Sequence, residues 1–154
     1  MNALSLTLFQ LVVFVLYIGM IVKNYGVLPS ISESWYRLPL NRKALFTLFT
    51  WGMGIPTLLY GNVLFFIAGI GLIFVGAATQ FKMLTANTKQ IHYAGAYIGI
   101  LGSLFGIWLQ WGAYYPLILF LVSYLFVQYG PVQNKTWWIE MVAFASILLG
   151  MLVH

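Results

Sequence analysis

From Leu4 to Val22 the chain carries no charged side chain. That run is long enough for a helix to cross the ~30 Å hydrocarbon core of a bilayer. Five further apolar runs follow, at 44–60, 63–79, 91–109, 114–127 and 137–153. Inside hydrocarbon a backbone satisfies its own polar groups only as helices or as a closed barrel. None of these runs alternates apolar and polar residues as a barrel strand does. The sequence therefore predicts an all-α polytopic membrane protein, a compact bundle of six transmembrane helices forming a single membrane domain over 1–154.

Composition closes off the alternative. Only 6% of the residues are charged, against roughly 25% in soluble domains, so this chain has too few charges to clothe a water-facing surface. The second run holds Gly52, Gly54 and Pro56 and stops before the turn signal Gly61-Asn62. The second and third runs thus read as a tight hairpin of two short spans, because one helix of about 36 residues would overshoot the bilayer core. Met1-Asn-Ala-Leu-Ser has no basic segment ahead of the first run and no small-residue cleavage site follows it, so that run reads as a retained span.

The charges give the topology. Lys23, Arg37, Arg42 and Lys43 flank or lie in the first loop (24–43), Lys82 and Lys89 in the third, and Lys135 in the fifth. Six spans put these odd-numbered loops on one side, and the positive-inside rule makes that side cytoplasmic, with both termini outside. A bacterial inner membrane is the expected location. The net charge of +5 is thereby assigned to topology and anionic headgroups, so no nucleic-acid partner is implied. Trp35, Tyr36, Trp137 and Trp138 are expected as aromatic anchors at the inner boundary, and Tyr60, Trp111, Tyr114 and Tyr115 at the outer one.

Few residues remain that could carry chemistry. Gly95, Gly99, Gly102 and Gly106 line one face of the fourth span, where small residues let another helix approach closely. His92 extends that stripe and should face the protein interior. The bland reading is an interfacial histidine hydrogen-bonded to a loop. Glu140 is the one acidic residue within a run. Ala143, Ser146 and Gly150 follow it on a similar face. A helix dipole and Lys135 could hold it as a simple structural carboxylate. A desolvated carboxylate also holds a proton more readily than one in water, which makes it a candidate proton carrier.

The first loop supplies the remaining candidates. Ser30-Ile-Ser-Glu33 fits the S-x-x-E capping box, so a short helix carrying Trp35, Tyr36 and Arg37 along the membrane surface should start near Ser30. The functional version makes this segment a lid, with Ser32, Glu33, Tyr36 and Arg37 meeting His92 and Glu140. Several chemistries drop out. There are no cysteines, and the two histidines fall on opposite sides, so no metal site or haem ligation within the chain is expected. No glycine-rich phosphate loop and no G-x-S-x-G elbow is present, and no cofactor is implied. A Ser-His-Glu hydrolase built from Ser32 or Ser34 with His92 and Glu140 is conceivable, though no motif selects it.

Pro29-Ser-Ile-Ser-Glu-Ser-Trp-Tyr36, with His92-Tyr93 opening a glycine-rich span and Trp138-Ile-Glu140 opening the last, resembles small uncharacterised bacterial and prophage membrane proteins of six spans. That resemblance implies the six-span plan and no particular activity. More distantly, Ser32-Glu33-Ser34-Trp35-Tyr36 is similar to a loop motif of the alkaline ceramidase and progestin-receptor-like superfamily of membrane hydrolases. That family's histidine pair and aspartate have no counterpart here, so zinc-dependent amide hydrolysis is not implied.

The leading expectation is a protein that binds or moves an ion, a proton or a small solute through a site at its cytoplasmic mouth. An accessory or scaffold subunit of a membrane complex is the second reading, favoured by any small-residue face left over once the bundle closes. A lipid-modifying membrane hydrolase using the serine-rich loop is the third. The bilayer is the expected partner throughout, with a homo-oligomer or another membrane protein as possible company.

Overall fold

The computed structural model describes residues 2–79 and 86–154. Lys82 and most of the polar segment expected as the third loop lie outside them. Among the described residues the protein is all helical. The helices are α1 (Ala3–Tyr25), α2 (Ser34–Arg37), α3 (Ala44–Leu58), α4 (Val63–Ala77), α5 (Ala86–Trp111), α6 (Tyr115–Tyr129) and α7 (Lys135–Leu152), with a single 3₁₀ turn at Leu40–Arg42. Three stretches, Ala3–Tyr25, Thr88–Trp111 and Lys135–Leu152, are long and apolar enough to cross a membrane. Helices α3, α4 and α6 have 15 residues each, which is about 22 Å at 1.5 Å per residue.

The six longer helices run alternately between two ends. At one end, here called the loop end, the 26–43 segment meets the start of α7 and the start of α5 through Trp137–Pro29 and His92–Ser32 hydrogen bonds. At the far end Tyr60, after α3, bonds to Thr7 of α1, and Trp111, at the end of α5, stacks on His154. The second and third apolar runs form the expected hairpin. Its turn begins with Tyr60-Gly61, where Gly61 takes a left-handed φ of 77°, and Asn62 caps α4 by accepting from Leu64 N–H at 2.7 Å.

Glycines set the closest helix contacts. A Cβ built on Gly71 would lie 2.7 Å from the Gly95 carbonyl oxygen, and one on Gly95 the same distance from the Gly71 oxygen. The α4 and α5 backbones therefore cross there with no room for side chains. Gly99, Gly102 and Gly106 continue the contact against Leu72, Ala68 and Phe65 of α4. The whole glycine stripe is thus occupied by a helix of the same chain. In α3, Pro56 sits inside the helix and cannot donate to the preceding turn. Polar side chains gather around this irregular stretch, with Gln10 Nε2 donating to the Met53 carbonyl at 2.7 Å and to Thr57 Oγ1 at 2.9 Å.

Mid-bundle, rings from three helices form a layer. Tyr17 stacks on Phe49 at 4.3 Å, and Phe144 packs on Phe14 and Phe49 at 5.5 and 5.9 Å. This layer separates the Thr7–Gln10–Thr57–Tyr60 polar cluster at the far end from the polar groups of the loop end.

Three anchoring expectations are corrected. Trp137 is 1% exposed and Trp35 7%, so both belong to the core with Leu28, Ile31 and Leu38. The reason is that the first loop packs back onto the helices. It tucks into the loop end and brings its own apolar residues with it. Tyr60 is likewise buried, because its hydroxyl is used inside the far polar cluster. Trp138 and Tyr114 keep substantial exposure.

Candidate functional site at the loop end

The loop is held by the first turns of α7. A helix leaves its first N–H groups without intrahelical partners, and here the Pro29 carbonyl accepts from Trp137 N–H at 3.2 Å. Asn134, in a left-handed conformation just before α7, donates from Nδ2 to the Val27 carbonyl at 3.1 Å. The Ile31 N–H donates to Glu140 Oε2 at 2.5 Å. These three bonds seat residues 27–31 on one helix start. Part of the capping box is present, with Ser30 Oγ accepting from Glu33 N–H at 3.1 Å. Helix α2 itself begins only at Ser34 and lasts four residues.

Glu140 departs from its expected structural role. It lies in the second turn of α7, and no acidic residue occupies the first, so the dipole at the helix start is not what holds it. Lys135 is directed elsewhere, its ammonium donating to the Gln128 carbonyl at 2.5 Å. Glu140 instead faces sideways, towards the loop.

His92 is 2% exposed and bonded at both ring nitrogens. Nδ1 is 3.1 Å from the Ala78 carbonyl oxygen and Nε2 is 2.9 Å from Ser32 Oγ. Ala78 closes α4, where carbonyls lack helical donors, so the histidine supplies one. A carbonyl oxygen only accepts, so Nδ1 carries the hydrogen. The neutral ring then presents a lone pair at Nε2, and the Ser32 hydroxyl donates to it. Ser34 is arranged differently, with its Oγ donating to the Ile31 carbonyl at 2.5 Å and lying 2.6 Å from the Tyr17 hydroxyl. The structure thus separates two serines that the sequence left equivalent.

Ser30, Ser32, Glu33, His92, Thr136 and Glu140 line one cavity of about 210 Å³, together with Pro29, Tyr93 and Ala96. Directly beneath it lies a narrow apolar chamber of about 30 Å³, walled mainly by Phe46, Phe49, Leu72, Val75, Ile100 and Phe144. Ser32, Ala96 and Glu140 line both spaces. The mouth thus joins four of the expected site residues. Tyr36 and Arg37 stand apart from it: Tyr36 packs edge-on against Trp35 at 4.9 Å, and Arg37 is exposed.

Thr136, Tyr93 and the Ala78 carbonyl were not anticipated. Thr136 precedes Glu140 by four residues, one helical turn on the same face, which is a signal the sequence did carry. The role of Ala78 depends on where α4 ends and has no sequence signature. Among the described residues no three His, Cys, Asp or Glu side chains converge as a metal-binding group.

Compared with known proteins, the chain matches no family model, no curated protein and no solved structure.

Proposed function

We propose that this chain is a six-span protein of a bacterial inner membrane, with the loop end cytoplasmic, that binds a small amphiphilic cation or proton-carrying solute at its mouth and moves it across the bilayer. The observation that carries this reading is the placement of Glu140. Its carboxylate lines both the polar mouth and the apolar chamber, it is anchored by a single backbone N–H from the loop, and Lys135 is engaged elsewhere. Ionisable groups facing the interior of a span mark pathways and ligand contacts. A carboxylate above an apolar chamber suits a ligand with a positive or protonated head and a short apolar tail.

The described cations Lys23, Arg37, Arg42, Lys43, Lys89 and Lys135 belong to segments at the loop end, which supports the cytoplasmic assignment. The glycine stripe of α5 lies against α4, so the scaffold reading would call on a different face. In transport the aromatic layer of Phe14, Tyr17, Phe49 and Phe144 acts as the barrier that must part.

The test is made in proteoliposomes. Wild-type protein should dissipate an imposed pH gradient, read by a trapped fluorescent pH indicator, and Glu140→Gln should slow this about tenfold or more, the scale of one lost charge contact at a desolvated site. Short alkylammonium ions should raise the melting temperature of the wild type and leave Glu140→Gln unmoved. Equal flux in wild type, Glu140→Gln and His92→Ala from pH 5 to 8 would remove the proposal.

A further inference from the structure

The Ser32–His92 contact supports more than binding. We propose that Ser32 and His92 form a nucleophile and general-base pair that cleaves short-chain acyl esters entering the mouth, an activity that rests on the mouth being the ligand site. Three observations meet at this pair. The Ala78 carbonyl fixes the histidine tautomer so that Nε2 faces Ser32 Oγ as an acceptor at 2.9 Å. Nucleophile and base within hydrogen-bond reach, with the base oriented by a third group, is the arrangement that activates a hydroxyl. Ser32 is 7% exposed, yet it lines both the open mouth and the chamber. Ser32 therefore borders the two spaces a substrate would occupy, unlike Ser34, which lines neither and whose hydrogen is given to the Ile31 carbonyl.

The chemistry balances within the chain's own groups and water. Ser32 Oγ attacks the ester carbonyl carbon as its proton passes to His92 Nε2. The bond from that carbon to the alcohol oxygen breaks, and the Nε2 proton goes to the departing alkoxide, leaving an acyl-serine. Water then attacks the acyl carbon, giving a proton to Nε2, and the carbon–Oγ bond breaks with that proton returned to Ser32. The products are one alcohol and one carboxylic acid. Glu140 lines the same cavity, so the positive charge formed on His92 at each attack shares that space with a carboxyl group. Thr136 lines the cavity as well, and in this scheme its hydroxyl is the donor to the carbonyl oxygen.

Chamber size sets the substrate class. A single water needs roughly 10–15 Å³ on this measure, so a chamber of about 30 Å³ takes an acyl group of two or three heavy atoms. Acetyl and propionyl esters fit, and long acyl chains do not.

The chain has no native cysteine, which makes the test clean. Purified full-length protein in detergent micelles is treated with a fluorophosphonate probe and with p-nitrophenyl acetate. Labelling and hydrolysis are expected in the wild type and in Ser34→Ala. Both should fall about 100-fold or more in Ser32→Ala and in His92→Gln, the usual scale for losing a positioned base. p-Nitrophenyl decanoate should be turned over far more slowly than the acetate. Ser32→Cys gives a second, fold-preserving readout: iodoacetamide should alkylate it about tenfold faster than it alkylates Ser32→Cys/His92→Gln, because a neighbouring imidazole favours the thiolate. The proposal is overturned if folded wild type takes no label, if Ser32→Ala is labelled equally, or if alkylation of Ser32→Cys ignores His92. Alkylammonium stabilisation of Ser32→Ala separates the two readings. If it persists while labelling is absent from the wild type, the mouth binds but does not cleave, and if it is absent from the wild type as well, the binding site itself is wrong.

Discussion

Gly95→Val is expected to abolish the folded bundle. The added Cβ would lie 2.7 Å from the Gly71 carbonyl oxygen and 3.4 Å from the Val75 nitrogen. Both are backbone atoms of a helix packed on its other side against α3, so neither yields by a rotamer change. Overpacking a core costs typically 1–3 kcal/mol where side chains can shift. Here two helix backbones must separate, so we expect at least about 3 kcal/mol, the top of that range. Helix α5 also carries His92 one turn before Gly95, and Ala78 sits at the end of α4. Parting the two helices therefore pulls His92 Nδ1 from the Ala78 carbonyl and undoes the Ser32 contact. Gly19→Ala is the matched control. A Cβ there meets nothing within 4 Å, and alanine should stabilise α1 by about 0.5–1 kcal/mol relative to glycine. Size-exclusion profiles and thermal melts of the two variants in the same detergent check both signs. A monodisperse Gly95→Val with wild-type melting would mean that α4 and α5 do not cross at Gly71.

What the sequence disclosed follows the range of each signal. Helix content, the α3–α4 hairpin and the inward face of α5 rest on local pattern: apolar runs, the Gly61-Asn62 turn and the glycine spacing. Those local forces act alike whatever the rest of the chain does. The partner of the glycine stripe was not legible, because spacing shows that a helix comes close without showing which one. His92 and Glu140 were singled out by rarity alone, as polar groups within apolar runs. Their contacts required knowing that Gly26, with φ of 72°, turns the chain out of α1, and that residues 27–31 settle on the start of α7. This is a long-range placement more than a hundred residues apart in sequence, as the Ile31–Glu140 bond shows. Trp35 and Trp137 were misplaced for the same reason. A tryptophan beside a loop is a headgroup anchor if the loop lies outside, and a core residue if the loop tucks in.

That tucked loop sets the second large effect. Trp137 is 1% exposed, the largest of the fully buried side chains, and it shares a cluster with Leu28, Ile31, Trp35 and Leu38 from the loop. Its backbone N–H also holds the Pro29 carbonyl. Truncating a buried tryptophan to alanine costs about 3–5 kcal/mol through lost contacts and the cavity left behind. At roughly 2–4 °C per kcal/mol for a chain of this size, Trp137→Ala should lower the melting temperature by about 10 °C, and Trp137→Phe by less than half of that. The loss falls on the contact between loop and α7, not on the helices themselves, so helical circular dichroism at low temperature should be unchanged. With its apolar anchor gone, the loop no longer holds Ile31 N–H on Glu140 or Ser32 on His92. The expected signature is therefore paired: modest global destabilisation, together with strong gain of hydrogen exchange at residues 27–38. Unchanged exchange in that segment, alongside a normal drop in melting temperature, would show that the loop is fixed by its hydrogen bonds to α7 and that Trp137 merely fills space beneath it.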